Sequence, residues 1–177
     1  CSILIHGGVN ILAPIYALYI KEIGGTLLLA SATIGFYAIL KGVLYFLFKK
    51  LDETHLSGKI MIAGGYFLFA VSYLLYIGAS KSIHVFGIQA LLALAEVVIN
   101  PSWSSTIATS LTKGKERGIY SDFYGYRSIF EGLAAIVGGI LAKHLGFNAL
   151  FGLMAGFALM ASILSLFLII EKDSQVI

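Results

Sequence analysis

Residues Leu27–Phe48 read LLLASATIGFYAILKGVLYFLF, a continuous apolar run with Lys41 as its one charged side chain. A bilayer core about 30 Å thick is crossed by about 20 such residues in helical form. A helix of this kind has no polar face to offer water, so its reading decides the fold. The same pattern recurs on either side of it. Ile3 to Ile20, Ile60 to Ala79, Ile83 to Leu111, Ile119 to Ala142 and Ala149 to Ile170 are each of spanning length and apolar character. With Leu27 to Phe48 they predict six transmembrane helices filling a single domain over 1–177. Strict apolar/polar alternation is absent, which argues against a membrane β-barrel.

Composition points the same way. Hydrophobic residues are 59% of the 177, and charged residues only 12%, about half the share usual in soluble domains. A globule of this size lacks the interior to hide that much apolar surface, so the expected partner is a lipid bilayer. The net charge of +3 is spread along the chain without an aromatic-interleaved basic patch, and no nucleic-acid partner is expected. Cys1 is the sole cysteine, and the histidines at 6, 55, 84 and 144 include no pair at helical ligand spacing. Neither a metal site nor a cofactor is therefore expected. Nor is there a phosphate loop, a nucleophile elbow or a usable Ser/His/Asp set, so the sequence predicts no enzyme. Because apolar sequence follows Cys1 at once, without a cleavage pattern, the expected N-terminus lies upstream of it.

Short polar turns separate the spans at 21–25, 49–59, 80–82, 113–118 and 143–148. The second and fourth turns and the tail carry Lys49, Lys50, Lys59, Lys113, Lys115, Arg117 and Lys172; the other turns carry Lys21, Lys81 and Lys143. Basic residues favour the cytoplasmic side. Both termini are accordingly expected in the cytoplasm, and the membrane is expected to be the cell (inner) membrane.

A faint repeat runs through the chain. Pro14 and Pro101 are 87 residues apart, as are Phe36-Tyr37 and Phe123-Tyr124. This spacing predicts two three-helix units, about 1–80 and 81–177. An odd number of spans in each unit makes the second inverted relative to the first, a recurrent plan in secondary transporters. Taken alone, each proline is equally a kink or a span end.

Polar residues are confined to some spans. Tyr37, Lys41 and Tyr45 fall on one face of the second span, and Gln89, Glu96, Asn100 and Trp103 on one face of the fourth. Tyr120, Tyr124, Arg127 and Glu131 form a stripe on the fifth, and His6 and Asn10 are a turn apart on the first. The third and sixth spans have no acid or base within the membrane. Ionised groups in hydrocarbon cost several kcal/mol or more, so these stripes are expected to turn toward one another or toward water. The simplest arrangement has spans one, two, four and five lining a polar interior, with three and six facing lipid. The cavity candidates are Asn10, Tyr37, Lys41, Glu96, Asn100, Tyr124, Arg127 and Glu131. Lys41 and Arg127 balance Glu96 and Glu131 in charge. The carboxylates are the candidate proton carriers, and Glu96 is favoured because Arg127 stands beside Glu131 on the same helix face. Ala134/Gly138, Ala135/Gly139 and Gly152/Gly156 are small-residue pairs suited to close helix packing.

Local wording resembles one family. Ala13-Pro14-Ile15-Tyr16 through Lys21-Glu22-Ile23-Gly24 looks like the end of the first helix of major facilitator superfamily transporters. Asn100-Pro101-Ser102, Lys115-Glu116-Arg117-Gly118 and Gly138-Gly139 followed by Leu141-Ala142 resemble its fourth helix, cytoplasmic turn and fifth helix. Asp52 matches the acidic position of the family's turn after the second helix, while Phe48, Glu53 and His55 depart from its pattern. Glu96 stands where many members carry an arginine-centred motif. The resemblance implies one six-helix half of such a carrier, whose polar faces require a second half or a second copy of the chain. The implied function is movement of a small-molecule substrate by alternating access, driven by an ion gradient. Two other readings of the residues stay open: a non-transporting membrane protein whose charges serve assembly, and a channel, for which no ring of charges or carbonyls is evident.

Overall fold

The structure is a computed structural model that describes residues 15–49, 58–109 and 116–167. Regular structure among these residues is helical. A short helix, α1 (Tyr16–Glu22), leads into α2 (Leu27–Phe48), α3 (Gly58–Ile77) and α4 (Ser82–Thr109), and a last helical run covers Glu116–Leu166. The last four are each long and apolar enough to cross a membrane.

The final run has 51 residues. An unbroken helix of that length would reach about 75 Å, far beyond the hydrocarbon core. It is broken at Gly146, whose φ of 79° and ψ of 169° are non-helical. This backbone region is essentially closed to residues with a Cβ. Gly146 thus divides the run into α5 (116–145) and α6 (147–166). The polar turn expected over 143–148 is a one-residue break. Of the first predicted span, only the end from Ile15 lies within the described residues; Pro14, His6 and Asn10 lie outside them.

The turn between α1 and α2 depends on two glycines for different reasons. Gly24 has φ +80°, and a Cβ on Gly25 would sit 2.6 Å from Ile20 Cγ2 and 2.9 Å from the Ile20 carbonyl oxygen. Thr26 then caps α2, its hydroxyl accepting from the Leu29 amide at 3.2 Å.

Contacts fix the directions of the helices. Phe36 meets Phe86, Lys41 meets Glu96 and Tyr45 meets Asn100, so α2 and α4 run parallel. Tyr76 stacks on Phe151 while the Ala63 carbonyl accepts from Ser162, so α3 and α6 run antiparallel. Both relations are those of spans that alternate in direction along the chain.

The packed core lies between α3, α4, α6 and the end of α1. Tyr19, Tyr76 and Phe151 form an aromatic knot, with Tyr76 and Phe151 stacked at 4.8 Å and Tyr19 edge-on to both at 4.9 and 5.4 Å. Further along, α3 and α4 approach closely at Gly65, where a Cβ would meet Ile99 Cδ1 at 2.7 Å and the Ala95 carbonyl at 3.0 Å. This corrects the expectation that the third and sixth spans simply face lipid. Each presents one buried and one bare apolar face, and the two meet where Tyr76 stacks on Phe151 and Ser162 donates to the Ala63 carbonyl. Their lack of charge lets aromatic and small side chains interlock there. Half of the spanning window of α3 is buried but only 11% of that of α2, although the second span was expected to line the interior. Of the small-residue pairs, Gly138 is buried and Ala134 packs on the core, whereas Gly152 and Gly156 are exposed.

Candidate functional site

Lys41 projects from the middle of α2 toward α4, where its ammonium donates to Glu96 Oε1 at 3.3 Å. The same ammonium lies 4.8 Å from the centre of the Tyr37 ring, one turn back on its own helix. Asn100, one turn beyond Glu96, donates to Glu96 Oε1 at 3.1 Å and to the Tyr45 hydroxyl at 2.9 Å. The stripes of α2 and α4 are therefore in register, as their shared direction requires. From α5, Arg127 donates through Nε to Glu131 Oε1 at 2.7 Å. The described residues thus form two ion pairs, Lys41–Glu96 between α2 and α4 and Arg127–Glu131 within α5, whose charges balance. Each side chain keeps 21–28% of its surface exposed, so both pairs border the open side of the bundle.

Not every candidate joins these pairs. Tyr124 is 55% exposed and, among the described residues, meets rings only of its own helix, stacked on Tyr120 and edge-on to Phe123. Its counterpart in the proposed repeat, Tyr37, sits under Lys41, so the two aromatic pairs occupy different settings. Asn10 lies outside the described residues. The α4 stripe also divides. Glu96 and Asn100 face α2, but Trp103 donates to the Tyr66 hydroxyl of α3 at 2.7 Å, and Gln89 reaches α1.

That last contact belongs to a buried network that charge patterning did not reveal. Gln89 donates to the Tyr16 hydroxyl at 2.9 Å, and Tyr16 lies 2.8 Å from Thr33 Oγ1. The Thr33 hydroxyl also reaches the Leu29 and Ala30 carbonyls at 3.0 and 2.9 Å. A carbonyl can only accept, so the single Thr33 proton goes there and Tyr16 must donate to Thr33. The chain of bonds therefore runs in one direction, from Gln89 through Tyr16 and Thr33 to the α2 backbone. Uncharged hydroxyls on apolar helices give little warning of such a network. The usable signal was the placement of Tyr16, Thr33 and Gln89 near helix ends joined by tight turns.

Membrane-length apolar helices, with one ion pair between α2 and α4 and another within α5, define a polytopic α-helical membrane protein. The profile of the Major Facilitator Superfamily matches residues 1–176, and the chain belongs to that family of membrane transporters. It is also similar to an uncharacterized MFS-type transporter of Methanocaldococcus jannaschii, with 26% identity over 161 residues. That match takes in 89% of this chain and 41% of the archaeal protein; the chain spans well under half of its relative's length.

Proposed function

We propose that this chain forms one six-helix half of a carrier that moves a small solute by alternating access, driven by an ion gradient. The Lys41–Glu96 pair between α2 and α4, extended by Asn100 and Tyr45, carries the reading. Ion pairs at the depth of hydrocarbon are costly unless they serve a water-filled path or a bound solute. These residues stand at the open side of the bundle and not in its packed core. Two inverted three-helix units, about 1–80 and 81–177, fit the alternating helix directions and the family. Glu96 is the group we assign to carry a proton, since Glu131 is held by Arg127 at 2.7 Å. The excess of basic residues in the even turns supports both termini lying in the cytoplasm, and the cell membrane is the one we assign to the bundle. A second six-helix half, or a second copy, supplies the facing wall.

Reconstitution of the whole protein in liposomes tests this reading. Uptake of an accepted solute is expected to fall by about tenfold or more in Glu96→Gln, Arg127→Gln and Glu131→Gln, as for groups that stabilise the moving state. Unchanged uptake in all three, with folding intact, would refute the cavity and leave the charges a role in assembly.

A further inference from the structure

Between the parallel helices α2 and α4, two polar rungs lie one turn apart. Lys41 donates to Glu96 Oε1 at 3.3 Å, and one turn further on Asn100 Nδ2 lies 2.9 Å from the Tyr45 hydroxyl. The same Asn100 nitrogen reaches back to Glu96 Oε1 at 3.1 Å. Lys41 pairs with Glu96 as an ionised carboxylate, which can only accept. Asn100 must therefore present its amino group to Glu96, and the Tyr45 hydroxyl accepts from that same group. Both amide hydrogens are spent, one along α4 and one across to α2.

The two partners of Glu96 Oε1 differ in what they tolerate. An ammonium has donors only, and its attraction rests on the charge of the carboxylate. An amide carries a carbonyl oxygen beside its amino group, and the terminal torsion of asparagine is broad. It serves the ionised carboxylate as a donor. The neutral acid it serves either way, donating to the C=O or accepting from the O–H. From α2, Glu96 is faced by Lys41 and, through Asn100, by Tyr45. The α3 helix brings Tyr66 to Trp103, two turns further along α4, and carries Lys59 in its first turn. Arg127 of α5 is bonded to Glu131.

Resting on the carrier reading above, we propose that Asn100 is a positioning residue for the proton on Glu96: its amide holds the carboxyl group in both protonation states and ties it to Tyr45 of α2. Lys41 holds the ionised state alone. When Glu96 takes a proton from water, the α2–α4 ion pair loses its attraction while the Asn100 bridge stays. Glu96 thus gains and returns its proton without leaving its place between the helices, and one rung opens while the other keeps α2 on α4.

Infrared difference spectra of the whole protein in lipid, recorded as the pH is lowered, test this. The C=O stretch of protonated Glu96 is the band that Glu96→Gln removes. In the wild type it is expected at the lowered frequency of a hydrogen-bonded acid. Asn100→Leu is expected to shift it up to that of an unbonded acid, whereas Lys41→Met leaves its frequency in place. A wild-type band at the unbonded frequency overturns the assignment, and this decides even where Asn100→Leu does not fold. So does a band that Asn100→Leu leaves unmoved. In either case, liposome uptake abolished by Glu96→Gln would keep the carrier reading standing. If Glu96 shows no acid band before the protein unfolds, the role of Asn100 and the proton assignment of Glu96 fall together.

Discussion

Lys41 answers the charge of Glu96 in a place that is only about a quarter exposed, so removing one partner and removing both should differ sharply. Lys41→Met leaves Glu96 with Asn100 as its one hydrogen-bond donor among the described residues. A fully buried orphan charge costs about 3–5 kcal/mol, and partial exposure reduces this to about 1–2 kcal/mol here. Glu96→Met added to Lys41→Met is expected to restore most of the loss, as denaturation of the two singles and the double in detergent will show. Solute uptake should remain abolished in the double variant. That split distinguishes a site that binds from a pair that only holds helices together. The Gln89–Tyr16–Thr33 chain makes a separate prediction. Tyr16→Phe breaks both its bonds at once and leaves the Gln89 amide buried and unpaired, a loss of about 1–3 kcal/mol by the same measurement. The charged residues of the site were legible in the sequence because acids and bases are rare in apolar runs. Tyr16, Thr33 and Tyr66 were not, because a hydroxyl on an apolar helix is equally at home facing a backbone carbonyl.

Individual helices meet at points where a single methyl group matters. Gly65 lets α3 approach α4 against Ile99, which is 2% exposed and has nowhere to move. Gly65→Ala is expected to cost about 1–3 kcal/mol by overpacking, and Ile99→Ala in the same chain to recover part of it; melting curves report both. Gly146 poses the opposite case. A Cβ there meets nothing within 4 Å, yet φ +79° is hostile to every other residue. Gly146→Ala should therefore cost about 1–3 kcal/mol through the backbone alone, with no core substitution able to rescue it. Glycine is common in this chain, at 20 residues, so sequence could not single out these two. Only the approach of α4 and the reversal of direction after α5 make them necessary. The small-residue pair Gly152/Gly156 looked similar in sequence and is exposed instead.

Across the whole molecule, burial and charge are divided between two sides. The α3–α6 side is closed by the aromatic knot of Tyr19, Tyr76 and Phe151. Away from it, α2 carries Lys41 beside the bare apolar residues Ile39 and Val43, and α5 carries Arg127 beside Ile129 and Leu133. Lipid, a second half or a second copy can cover such surface. Orientation is open to a direct check by labelling intact cells with a membrane-impermeant maleimide, in a background where Cys1 is Ser. Ser80→Cys is expected to react from outside and Thr54→Cys only after permeabilisation; the reverse result would invert the assigned topology.

Apolar runs of bilayer length determined by themselves that this chain is a set of membrane helices, and the scarcity of charge within them picked out Lys41, Glu96, Arg127 and Glu131. Both are local properties: helix length against hydrocarbon thickness, and the cost of an ion in lipid. Which stripes meet was decided only in three dimensions. Relative rotation and direction of helices, set by close packing at Gly65, by the backbone break at Gly146 and by the knot around Phe151, joined Glu96 and Asn100 to α2. The same packing sent Trp103 to α3 and Gln89 to α1, and left Tyr124 apart. No residue's spacing along its own helix encodes the rotation of its neighbours, and that is why the tertiary structure had the last word on the site.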